Sequence, residues 1–261
     1  MRQAGGMTTA DRLARAVREQ LGLGRLLPLG GPRDGAWIAE RAVREVLMAA
    51  AGAVAGVRPE GLRVAPADPG DAWEPAVPSP PSALPPGPLR VTADFAATTA
   101  EPLPVAADRL RAALAAAGHG LGLTVTDVDL RVTALLDTGP EPAPEPREPA
   151  VEPRSGPAAD SAPGPGPRPR PGPDRGEGDA GRAAGAALAV PGVSRLTATL
   201  GRPVDVTELP QESALPRRHV RVELAVRADR RASEVARQVR TAVTEALSDR
   251  PSVAVLVTAV D

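Results

Sequence analysis

Cysteine does not occur in this chain of 261 residues, which excludes disulfide bonds, thiol catalysis and cysteine-ligated zinc together. Lysine, asparagine and tyrosine are missing as well. This is the pattern of a GC-rich genome, so no function is read from arginine standing where lysine is usual. Aromatic side chains are confined to Trp37, Trp73 and Phe95, and any core must be packed from alanine, valine and leucine. Neither sign of charge dominates. The formal net charge is -1 with acids and bases interspersed, which argues against a broad polybasic footprint for nucleic acid. Long apolar runs are lacking too: the longest, Val46 to Val57, falls far short of the roughly 20 residues of a membrane-spanning helix. The N-terminus has no charged-then-apolar signal layout, because Gly5 and Gly6 lead into TTADRLARAV, and Met7 offers a second start. The expectation is a cytoplasmic protein, peripheral at most at the inner face of the cell membrane.

What is present is strong periodicity. Leu13, Val17 and Leu21 lie four apart within Thr9 to Leu21 and predict a short amphipathic helix closed by Gly22. The following LGLGRLLPLGGPRDG lacks the order of a phosphate-binding loop. From Ala36 onward, Ile38, Ala42, Val43, Val46, Leu47 and Ala50 predict a helix running from WIAE into the alanine-rich stretch. Leu62 and Val64 then begin a strand, and the prolines of residues 66–88 predict an irregular loop. Leu89, Val91, Ala93 and Phe95 alternate as a half-buried strand, Leu103 to Ala117 reads as a helix, and Val128, Leu130 and Val132 alternate again.

Between Thr138 and Gly178, 13 of 41 residues are proline, a composition that cannot bury enough surface to offset its ordering entropy and predicts a disordered linker. Beyond it a weak helix over Ala180 to Val190 leads to strands through Thr199 and around Val204 to Val206. Val220, Val222, Leu224 and Val226 form a further alternating strand. Val235, Val239, Val243 and Leu247 form a helical stripe, and Val253, Val255 and Val257 begin the last strand.

The two halves repeat this order. VAGV at 54–57 answers VPGV at 190–193, LRVTADF at 89–95 answers VRVELAV at 220–226, and VTA at 132–134 answers VTA at 257–259. The expected fold class is α/β of the α+β kind: two small two-layer helix-on-sheet domains in tandem. The boundaries read as a lead-in over 1–35, a first domain over 36–137, the linker over 138–178 and a second domain over 179–261.

No catalytic constellation accompanies these elements. His119 in AAGHGLG and His219 in PRRHV have no carboxylate cluster at ligand spacing and read as exposed histidines. Ser233 and Ser248 read as helix-end residues. No metal or cofactor is expected. The alternating positions are taken up by packing, so function falls to what remains outside. Arg221, Glu223 and Arg227 read as outward on their strand, Arg237 and Arg240 as outward on their helix, and Arg217, Arg218, Arg230 and Arg231 as a basic rim that suits an acidic partner or anionic lipid.

IAERAVREVLMAAAGAVAGV in the first copy, and VPGVSRL, VRVELAVRADRRASEVARQVRTAVTEAL and SVAVLVTAVD in the second, give the chain a pattern that resembles the alkaline shock protein, or envelope stress response, family. The resemblance implies a non-enzymatic protein at the cytoplasmic face of the membrane, recruited by a membrane-embedded protein partner and able to self-associate. The alternative is a small α/β nucleic-acid-binding module, but GHGLG at 118–122 is neither basic nor placed between helices as a KH-type loop requires. An enzyme assembled from scattered acids and arginines is a third reading.

Overall fold

A computed structural model describes residues 22–137, 175–209 and 217–261. The helix expected over 9–21 and all but the end of the proline-rich linker lie outside the described residues.

In chain order the elements are β1 (Leu26–Pro28), β2 (Ala36–Ala39), α1 (Glu40–Gly52), β3 (Val57–Pro66), β4 (Leu89–Thr98), α2 (Leu103–Leu121), β5 (Val125–Leu136), α3 (Arg175–Leu188), β6 (Val193–Leu196), β7 (Val204–Leu209), β8 (Arg217–Val226), α4 (Ala232–Ala246) and β9 (Ser252–Val260). The protein is a mixed α/β molecule with two sheets. One sheet has the order β3-β4-β5, the first pair antiparallel and the second parallel. The other runs β1-β2-β9-β8, and β6 and β7 share the far side of β8. Among the described residues no helix is long and apolar enough to cross a membrane.

The repeat is visible as topology. Helix, antiparallel strand, central strand, crossover helix and parallel strand occur as α1-β3-β4-α2-β5 and again as α3-β6/β7-β8-α4-β9. Detail repeats as well. Gly56 (φ 74) and Gly192 (φ 102) turn the chain out of the first helix in a left-handed conformation open mainly to glycine. Each then accepts a backbone hydrogen bond from the end of the central strand, Thr98 N to Gly56 O at 2.9 Å and Arg227 N to Gly192 O at 2.9 Å. Both parallel ladders slip by one residue at the same threonine. Phe95 pairs Val132 and Ala96 pairs Ala134, while Leu224 pairs Val257 and Ala225 pairs Ala259. The skipped Thr133 and Thr258 donate through Oγ1 to the carbonyls of Phe95 and Leu224, at 3.0 and 3.3 Å.

These anchors match Phe95 to Leu224, two residues away from the pairing of LRVTADF with VRVELAV. A slip of two keeps every side chain on its face, so alternation alone does not detect it.

A second correction concerns Ala36–Ala39. The helical period read through these residues, yet they form β2, fully buried, and the helix starts at Glu40. Trp37 and Ile38 suit a strand, and a partner is at hand: Ala36, Trp37 and Ile38 pair in parallel with Val255, Leu256 and Val257. The end of the lead-in, as β1, and the first residues of the expected first domain, as β2, therefore extend the second-half sheet, and one apolar cluster runs through both halves, from Leu47, Val91 and Phe95 to Val239 and Val255. Arg25 ties the lead-in to the first half. Its guanidinium pairs with Glu40 at 3.0 Å and donates to the Val64 carbonyl at 2.5 Å.

Smaller differences lie at element ends. The helix after the linker runs Arg175–Leu188, the strand expected through Thr199 stops at Leu196, and the strand expected around Leu62 opens at Val57.

Candidate interaction surface

Helix α4 buries Val235, Ala236, Val239 and Val243, a stripe at three- and four-residue spacing that fixes which side faces out. Arg237 and Thr241 stand on the exposed side, with Arg240 partly so. The helix meets the loop between β1 and β2. Arg237 pairs with Asp34 at 3.3 Å, Arg240 donates to the carbonyl of Arg33, and Asp34 also accepts from Gly31 N at 2.7 Å. A cleft of about 490 Å³ opens beside this joint, lined by Asp34, His119, Arg231, Ser233 and Arg237 among others. A second hollow of about 340 Å³, reached by Arg237, Arg240 and Arg250, continues along the helix. Arg231 and Arg250 are exposed and have no ion-pair partner among the described residues.

The nine residues singled out from sequence do not form one patch. Arg231, Arg237 and Arg240 lie along the α4 face. Arg227 and Arg230 share Asp229, at 3.2 and 3.8 Å, in the turn before α4. Arg217 is exposed at the start of β8. Arg218 is half-buried and paired with Asp179 at 2.5 Å and Asp249 at 3.1 Å, and its hydrogen bond, with its charge, keeps the Asp179 carboxyl below the ordinary range.

Glu223 departs furthest from expectation, because it is completely buried. Its strand has two covered faces, so alternation there marks two interiors rather than inside and outside. One carboxylate oxygen accepts from Leu200 N at 3.0 Å; the other faces Arg221 Nε at 3.5 Å, and neither of these two atoms has a hydrogen bond. Burial pushes the Glu223 carboxyl up, and the Leu200 amide and Arg221 only partly oppose it. His219 is likewise buried rather than exposed, hydrogen-bonded to Ser252 at 2.8 Å, and burial with the nearby Arg221 charge lowers its pKa. His119 is exposed and lines the cleft.

Sequence reasoning missed Asp34 and the Arg33 carbonyl as contacts of α4. They lie about 200 residues before their partners, and GGPRDG reads only as a turn. No protein-family model, no curated protein and no solved structure matches this chain.

Proposed function

We propose that the chain is a non-enzymatic interaction protein of the envelope-stress kind, held at the cytoplasmic face of the membrane by a protein partner. In this reading an acidic segment of that partner docks on the outer face of α4. The observation that supports it is the gathering of Arg231, Arg237, Arg240 and Arg250 around two adjoining hollows. Guanidinium groups that are exposed and not already neutralised bind carboxylates in bidentate geometry at little desolvation cost. The unlike packing of the two repeats fits a division in which the second presents the docking helix.

The test is fractionation with pull-down of the tagged chain. Recovery of a membrane protein is expected, and Arg231→Glu with Arg250→Glu should lower that recovery at least tenfold while leaving the circular dichroism spectrum unchanged. A protein found wholly in the cytosol with no membrane partner overturns the reading.

A further inference from the structure

We infer that the chain pairs with a second copy of itself through the free edge of β5, joining two three-stranded sheets into one of six strands. This rests on the first repeat and is independent of the arginine face of α4.

The other sheet edges are blunted. β1 has three residues and ends in Pro28, β3 carries Pro59, Pro66 and a bulge after Pro59, β6 has four residues, and β7, with six, is half the length of β5. Short strands, prolines and bulges are the usual protection against edge-to-edge pairing. β5 skips Thr126 and Thr133 against β4, but the stretch Asp127 to Val132 between them pairs without a break. The strand is 12 residues long without proline or glycine, pairs only with β4 among the described residues, and leaves Val132 39% and Leu135 57% exposed. Its counterpart in the second repeat shows what this edge does when satisfied, since β9 takes β2 along the same side.

The counterpart also fixes which backbone groups point outward. Val255 N donates across the edge to Gly35 O at 3.0 Å, and the shared threonine bulge makes Leu130 the match of Val255. Alternation along the strand then directs the polar groups of Val128, Leu130 and Val132 away from β4. An antiparallel partner centred on Leu130 satisfies all three. Leu130 then lies opposite its own copy, Val128 opposite Val132, and Asp129 opposite Arg131 twice over.

The two neighbouring registers with the same hydrogen-bonding phase are worse. Moving the centre by one residue sets Asp129 against Asp129 or Arg131 against Arg131, and like charges directly opposed destabilise a ladder. Within the chain Asp129 and Arg131 already pair across to Arg90 at 3.5 Å and Asp94 at 2.9 Å, so the dimer would continue a charge row that β4 begins.

Light scattering coupled to size-exclusion chromatography of the full chain tests this. The unaltered protein should dimerise in a concentration-dependent way. Asp129→Arg sets arginine against arginine and Arg131→Asp sets aspartate against aspartate, so each alone should be monomeric, with dissociation at least tenfold easier. Mixing the two variants restores opposite charges at both positions and should restore the dimer, a result that misfolding of either variant would not produce. As a second measure in a cysteine-free chain, Leu130→Cys should crosslink to its own copy with a short bismaleimide. A monomer at every concentration, a dimer indifferent to both variants, or a mixture that stays monomeric overturns the inference.

Discussion

At Glu223 a charge is held in a poor solvent. The folded protein raises its pKa, so between the unfolded and folded values the native state binds more protons. Stability from this group is therefore greatest at low pH and falls as pH rises through the raised value. Glu223→Gln keeps the shape and the Leu200 contact while removing the charge, and Arg221 retains Asp205 at 3.6 Å. The variant should be more stable at neutral pH, by about 1 kcal/mol, and the gain should shrink as pH is lowered; calorimetry across pH measures both. Glu40 behaves oppositely. Burial pushes its carboxyl up, but hydrogen bonds from Arg25 and that residue's charge outweigh burial and hold it below the ordinary range. Its contribution is present above the usual carboxylate pKa and is lost on acidification. Arg25→Met should cost about 1 kcal/mol at neutral pH and less in strong acid, where only the hydrogen bond to the Val64 carbonyl is still lost, a difference that urea melts at the two pH values resolve.

The two left-handed glycines carry the same burden at the level of elements. A Cβ at Gly192 would lie 2.6 Å from Val235 Cγ2, and one at Gly56 would lie 2.9 Å from Thr98 Oγ1. Gly192→Ala should cost about 1–3 kcal/mol from strained φ, and more than Gly56→Ala, because Val235 is a buried residue of α4 whereas Thr98 is only partly covered. Chemical denaturation of both variants ranks them. VAGV and VPGV were legible as equivalents because the turn needs glycine whatever surrounds it. Most strands and helices were legible for a similar reason, since Val91 to Phe95 and Val235 to Val243 show the spacing that one-sided burial imposes. Where burial is two-sided the signal fails: nothing in VRVELAV marks Glu223 as interior, or shows that Phe95 matches Leu224. The arginines of α4 were legible as outward, while their hold on Arg33 and Asp34 was not, because such contacts are set by chain closure.

The whole molecule depends on one such closure. β2 lies between β1 and β9, so the N-terminal half supplies two strands of the second sheet, and Trp37 is the largest side chain buried at that seam, 1% exposed with its Nε1 donating to the Leu84 carbonyl at 3.2 Å. In the first sheet the matching side of β5 has no strand partner among the described residues. Two consequences follow from a shared sheet and a shared core. Unfolding of either half strips a covered edge and an apolar face from the other, so heat should melt both halves in one transition rather than two. Removing Trp37 weakens that coupling directly: Trp37→Ala should cost about 3–5 kcal/mol and lower the melting of both halves together. Hydrogen exchange followed residue by residue distinguishes the cases. Protection lost in β9 and α1 alike marks a single cooperative body, whereas loss confined to residues before the proline-rich stretch would mean that the second repeat folds without the strands lent to it.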